Sequence, residues 1–274
     1  MVRPLFQLPE RLLCCAEKTR PCACVADIGS DHALLPIWLI RMGKAERGIA
    51  SDLREGPLAA ARKNAALYQV ADRLETRLSD GFSAFAPGEV QDIVIAGMGG
   101  ELILRMLQET PWLAQKEIRL VLQPMSSIPK LRRGLHELGF RLVEEEAVTE
   151  REKVYTVMTA VYGGRSLADS SLTCQKDPDL LSSLALYMGK LLPGSEGADR
   201  YAEKVLRGLE KERAGLAGAT GKARDLPFAE HRGTKPGRDP AGEAREGRIR
   251  RLTQLMEEIE ARYLRDPKSR KEGA

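Results

Sequence analysis

Aromatic residues are scarce in this chain, at 5% of 274 residues. A core must therefore be assembled from Leu, Ile, Val and Ala, and few flat rings are available to stack on a ligand. Long apolar runs are missing as well. No stretch of about eighteen apolar residues occurs, which excludes a helical bilayer span. Met1 to Glu10 lacks the basic-then-apolar layout of a secretory leader. With 30% of residues charged, neither a low-charge fibre nor a membrane protein fits, and the expectation is a soluble, cytoplasmic protein. Cysteine is sparse, with five in all. Cys14, Cys15, Cys22 and Cys24 cluster without the paired arms of a tetrahedral zinc site. Cys24 falls in a run that reads as a buried strand, where a thiol is a small hydrophobe. The odd total, with Cys174, speaks against an oxidising compartment. No metal is expected.

A strong net charge is also absent, but the balance is uneven. Residues 1–199 carry 24 basic against 26 acidic side chains, whereas residues 200–274 carry 19 against 13. A near-neutral body with a basic tail suits a polyanion, because neutralising phosphates releases counterions. A solvated helical surface would account for the same charges.

What is present, over the first 160 residues, is an alternation of short β-branched runs with helical patterns, the form of a doubly wound α/β sheet. A lead-in helix is predicted at Leu8–Lys18. Strands are predicted at Cys24–Gly29, Arg47–Asp52, Leu74–Ser79, Asp92–Gly97 and Arg119–Gln123. Helices are predicted at Ala33–Met42, Pro57–Gln69, Glu101–Gln108 and around Lys130–Leu138. Phe140–Val148 and Lys153–Tyr162 then break the alternation. Only four residues separate them, too few for a crossover helix, so they should form an antiparallel hairpin. Five strands in βα alternation closed by such a hairpin is the architecture of the class I methyltransferases, whereas simple nicotinamide-binding domains continue with parallel strands.

After Gly163-Gly164 the pattern is helical, at Asp177–Leu192, Asp199–Leu216 and about Glu243–Arg265. Residues 217–247 are rich in Gly and Pro, 9 of 31, and read as a flexible loop. Ile249, Leu252, Met256, Ile259 and Tyr263 form a short heptad seam, and Tyr201, Val205, Leu209 and Leu216 a rougher stripe. The two helices are expected to pair antiparallel within one chain, which favours a monomer. The expected division is a domain at 1–164 and a helical domain at 165–274.

The chemistry should sit where strands hand over to helices, because the carboxyl ends of α/β strands open a ligand crevice. Asp27, Ile28, Gly29, Ser30, Asp31 and His32 end the first strand. Gly29 lets backbone approach a ligand closely, but the further glycines of a dinucleotide fingerprint are replaced by Asp31 and Leu34. An acid there repels a diphosphate on the helix N-terminus and leaves a sulfonium and amine, as in S-adenosylmethionine, unopposed. Asp52 ends strand two, where a carboxylate accepts hydrogen bonds from a ribose; a helix cap is the competing reading. Asp80-Gly81 ends strand three and could meet an adenine amine or simply form a turn. Ala96, Gly97, Met98, Gly99 and Gly100 suggest close packing of a ligand or base on backbone. No Asn/Asp-Pro-Pro-aromatic motif for an amino nitrogen follows, which favours a ring nitrogen or another acceptor. Gln123-Pro124-Met125 ends strand five, where substrate should enter.

In this order and spacing, ADIGSDHALLP, IAGMGG, LVLQP and EKVYTV closely resemble the bacterial tRNA (adenine-22-N1) methyltransferase family, over about residues 8–162. The resemblance implies a class I methyltransferase domain, a helical coiled-coil-like domain, S-adenosylmethionine as donor and tRNA as substrate. It implies cofactor contacts from Asp27, Ile28, Gly29, Ser30, His32, Asp52, Asp80, Gly81, Ala96, Gly97, Met98 and Gly99. Asp31 matches the acid linked to catalysis. The chain departs from the family at Met125, where Asn is usual, and in its long 217–247 segment.

N1 of adenine holds a lone pair and needs no deprotonation before attack, so the load on the protein is mainly positioning. Alkylation acidifies the exocyclic amine, and Asp31 could accept a hydrogen bond from it; capping the next helix is the alternative. A paired adenine must be extruded to expose N1, with Tyr155, Trp38 and Phe82 as candidate stacking partners. Gln123, Pro124 and Tyr155 are expected to face substrate. Arg245, Arg248, Arg250 and Arg251 are expected on the tRNA backbone, since A-form grooves are poorly read by side chains. A methyltransferase for small molecules, a non-catalytic RNA-binding protein and, less well, a nicotinamide dehydrogenase stand as alternatives.

Overall fold

The computed structural model describes residues 4–115, 117–163, 178–218 and 240–264. Five parallel strands, β1 (Cys22–Ile28), β2 (Ala45–Asp52), β3 (Leu74–Leu78), β4 (Asp92–Gly99) and β5 (Arg119–Ser126), are followed by β6 (Phe140–Glu150) and β7 (Lys153–Tyr162). They form one sheet in the order β3-β2-β1-β4-β5-β7-β6, with β7 antiparallel to both β5 and β6. This is the class I methyltransferase topology anticipated from the alternation. The order in which strands are added reverses between the parallel neighbours β1 and β4, and the switch point of an open α/β sheet lies there.

Strand residues alternate between two apolar layers, as the two-residue period of a strand dictates. Val25, Ala50, Val94, Val121 and Val157 join one cluster with side chains of α1 (Glu10–Lys18), α2 (Leu34–Arg41) and α3 (Glu55–Leu67). Their neighbours Ile93, Ile95, Leu120 and Leu122 are equally buried. With both faces covered, the strands read as continuous apolar runs rather than alternating ones. The second layer of helices is α4 (Gly100–Gln108) and α5 (Ile128–Glu137). These two approach so closely that a Cβ on Gly134 would collide with Leu104.

Several boundaries differ from the sequence reading. β4 runs on to Gly99 and β5 to Ser126, with register shifts at Ala96/Met98 and Met98/Gly99. The glycine run is therefore a bulged strand end, not a loop beyond it. The hairpin turn is only Arg151-Glu152, since Glu150 pairs with Lys153.

The chain divides into two compact units, Met1–Ser170 with Gly189–Leu192, and Ser171–Met188 with Pro193–Ala274. Within the second, α6 (Pro178–Met188) and α7 (Ala198–Gly218) both touch α8 (Pro240–Ile259). Arg248 Nε donates to Glu212 Oε1 at 2.9 Å and Arg213 Nη1 lies 3.4 Å from the Thr253 hydroxyl, so α7 and α8 are joined by polar side chains as well as by their apolar faces. The expected seam is shifted: Leu252, Leu255 and Ile259 are the buried residues, while Ile249 and Met256 are half-buried. A third helix on α8 moves the apolar centre off the two-helix stripe. Helix α8 also begins at Pro240, so residues 240–247 are helical, and it ends in a π turn over Glu260–Leu264. Residues 219–239, and Cys174, lie outside the described residues.

Candidate active site

Building the site starts at β1, whose last turn carries the acids. Asp27 is 7% exposed, and its Oδ2 accepts from the Ser30 hydroxyl at 2.5 Å. Burial pushes its carboxyl up to about 6, against which the Ser30 hydrogen bond pulls downward. Ser30 N–H donates to Ser51 O at 2.8 Å, which pins the β1 turn to β2. Gly29 has φ +72°, and a Cβ on it would collide with the ε-methyl of Met98. The glycine is thus required twice over, by backbone sign and by the strand-four side chain lying on it.

Two non-glycine residues follow in the left-handed region, His32 (φ 62°) and Ala33 (φ 54°). Such conformations persist only where surroundings enforce them. Here Asn64 Nδ2 from α3 donates to His32 O at 3.0 Å. Ala33, not Asp31, is the N-cap of α2, and no side chain caps that helix. Reading Asp31 as a helix cap is therefore set aside. Its side chain is 74% exposed, with Oδ1 3.3 Å from His32 Nε2.

At β2, Asp52 is buried and its Oδ1 accepts from Arg54 N–H at 2.8 Å. The N-cap of α3 is Arg54 and has no side-chain cap bond, so the competing role for Asp52 also falls away. Leu53, which the sequence did not single out, is 65% exposed beside it. At β3, Gly81 has φ +55° and packs on Met106, the turn role considered for Asp80-Gly81. Both line a cavity of about 290 Å³ with Phe82, Arg105, Met106 and Trp112.

At β4 and β5 the structure revises two expectations. Gly100 does pack closely, but on protein: a Cβ on it would lie 2.7 Å from Ser126 O and 2.9 Å from Ser127 O, whereas a Cβ on Gly97 would meet nothing nearer than Arg11 Nη1 at 3.9 Å. No ligand is needed to explain that contact. Gln123 does not face substrate. It is 0% exposed, and its Oε1 accepts from Gly97 N–H at 3.1 Å and from Arg11 Nη1 at 3.3 Å. Met125, two residues on, is 45% exposed at the strand end. Tyr155 is half-buried on β7, three residues before Met158, whose pairing with Leu122 ends the β5–β7 ladder. Trp38 packs on the apolar core, and Phe82 is buried edge-to-face on Trp112 with centroids 5.9 Å apart. Phe82 offers no free stacking face.

Arg248, Arg250 and Arg251 on α8 are exposed and Arg245 is half-buried. Arg248 pairs with Glu212, and Arg250 lies 3.9 Å from Glu246. Burial pushes the Cys14 and Cys22 thiols up to about 12, away from the thiolate form that reacts. Among the described residues no group of three or more His, Cys, Asp or Glu could hold a metal ion, and no helix is long and apolar enough to cross a membrane.

Residues 8–158 match the family model described as a methyltransferase domain. The tRNA (adenine(22)-N(1))-methyltransferase of Bacillus subtilis is 34% identical over 163 residues, covering 60% of this chain and 68% of that protein. The crystal structure of the B. subtilis m1A22 tRNA methyltransferase matches with a TM-score of 0.67 and 25% identity, over 94% of this chain and 99% of the other. Streptococcus pneumoniae Sp1610, solved in complex with S-adenosyl-L-methionine, matches with a TM-score of 0.63 and 26% identity, over 91% of this chain and all of the other. With a methyltransferase sheet, its rim of acids and these relatives in hand, the chain belongs to the tRNA (adenine(22)-N(1))-methyltransferase family.

Proposed function

We propose that this protein transfers a methyl group from S-adenosylmethionine to N1 of adenine 22 in tRNA, acting as a monomer in the cytoplasm. The observation that carries the reading is the rim itself. Asp27, Asp31, Asp52 and Asp80 stand at the ends of three adjacent strands, and the turn before α2 has a left-handed Ala33 as its cap behind Asp31. A diphosphate would meet carboxylates there instead of a cradle of N–H groups. A sulfonium with an amino group and a ribose diol suits the same donor set.

S-adenosylmethionine supplies an electrophilic methyl group when bound. Asp27 and the Ser30 turn would hold its amino-acid end, Asp52 its ribose, and Asp80-Gly81 its adenine. A cationic amine beside Asp27 would draw that carboxyl back down from about 6. Asp31 accepts a hydrogen bond from the exocyclic amine of the target adenine, orients the ring and stabilises the positive charge that develops on it. Met98 and Met125 flank the entrance. Thioethers beside a flat base make favourable sulfur–aromatic contacts, a reasonable substitute where rings are scarce. The arginines of α8 would bind phosphates, and Tyr155 and Pro124 would line the base entrance.

Incubation with labelled methyl donor and bulk bacterial tRNA, followed by nucleoside digestion, tests this reading. The expected product is 1-methyladenosine, with a reverse-transcription stop on the intact tRNA locating it at position 22. Label on another base, or on small molecules with tRNA left untouched, would favour a different acceptor; cofactor binding without any transfer would favour the non-catalytic alternative.

A further inference from the structure

Gln123 presents a fully buried amide with every polar direction used. Besides accepting from Gly97 N–H and Arg11 Nη1, it donates through Nε2 to Pro124 O at 3.3 Å and lies 3.5 Å from Met125 Sδ. The amide is thereby locked in one orientation. Gly97, with φ +79°, stands in the bulge where the β4–β5 register shifts. Its N–H is bonded to the Gln123 side chain. The next residue is Met98, whose methyl lies on Gly29 at the end of β1. Arg11 is held from behind: Glu150 Oε2 accepts its main-chain N–H at 3.3 Å and lies 3.7 Å from its Nε. A chain of contacts therefore runs from α1 through β5 and the β4 bulge to the β1 turn that carries Asp31.

We propose that Arg11 and Gln123 are positioning residues that act through Gly97, fixing the Met98 bulge against Gly29 and so setting where the acceptor base meets the methyl donor. The inference deepens the methyltransferase reading, and its catalytic half rests on that reading. Neither residue touches the reacting atoms. Arg11 suits the task because its fork can serve Gln123 and Glu150 at once, which a lysine ammonium does less well.

The test uses full-length protein labelled with ¹³C at methionine methyls, with the Met98 resonance assigned by its loss in Met98→Leu. Gln123→Leu removes the shared acceptor, and Arg11→Lys weakens the fork while keeping the charge, so the second remains informative if the first folds poorly. Both are expected to move the Met98 resonance. Both should lower kcat on tRNA, by roughly ten- to a hundredfold for Gln123→Leu, as misplacement on the ångström scale does. KM for tRNA should stay within about threefold, and the double variant should be no slower than the slower single, because both act through one link. An unmoved Met98 resonance, or a moved one with unchanged kcat, would overturn the proposal. If the native protein transfers no methyl group to tRNA, the functional reading fails, and the Met98 resonance alone still decides whether these two residues hold the bulge.

Discussion

Asp27 is the residue at which the proposed function and stability pull apart. Its carboxyl is raised from 3.8 to about 6 by burial, so the folded protein holds that proton more tightly than the unfolded chain. Its contribution to stability is greatest below about pH 4 and is lost as pH rises through 6. The size of the displacement corresponds to about 3 kcal/mol. Asp27→Asn should therefore unfold at higher urea than the native protein at pH 8, with little difference at pH 4, while losing affinity for S-adenosylmethionine. A denaturation series across that range checks it; parallel losses at both pH values would contradict it. Asp31→Ala makes the opposite kind of prediction, with turnover abolished and donor affinity within a few fold, read by calorimetry beside a transfer assay. The identity of both acids was legible in the sequence, because strand ends and acids are local features. Their surroundings were not. Nothing around residue 31 announces that Ala33 takes a left-handed conformation, or that Asn64, 32 residues on, holds the intervening carbonyl.

Elements were legible to the extent that their causes are local. The βα alternation and the hairpin forced by a short gap follow from periodicity and loop length. The reasons behind particular residues came from elsewhere in the chain. Gly100 was expected to make room for a ligand, but the atoms it avoids are the carbonyls of Ser126 and Ser127. Gly100→Ala should thus destabilise the fold by about 1–3 kcal/mol, as overpacking does, measurable by urea denaturation whether or not cofactor is present. Rescue by cofactor beyond that seen for the native protein would point back to a ligand contact. Glu145 is a comparable case on β6. A bulge at Leu142/Glu144 precedes it. Its carboxylate then accepts from Arg132 Nη2 at 2.8 Å and from Lys190 N–H at 2.8 Å, with both charged side chains nearly fully buried. Removing one partner strands the other charge, so Glu145→Ala should cost about 3–5 kcal/mol. Nothing in its sequence context, a run of three glutamates, distinguishes it from its exposed neighbours.

At the scale of the whole molecule, the division of charge is the feature that composition alone conceals. A methyltransferase sheet near neutrality and a helical segment rich in arginine suit a substrate held by its phosphates. Changing Arg245, Arg248, Arg250 and Arg251 together to Ala should weaken tRNA binding and flatten its dependence on salt. The flattening should amount to fewer than four phosphates, because Arg248 and Arg250 already have acidic neighbours in Glu212 and Glu246. Filter binding at several salt concentrations reads this directly, and an unchanged slope would assign the helix another role. Everything else depends on what the sheet's carboxyl edge accepts. Calorimetric titration of the native protein with S-adenosylmethionine, S-adenosylhomocysteine and NAD measures that most directly. Binding of the first two with no uptake of NAD is the expected result, and uptake of NAD with neither of the others would contradict it.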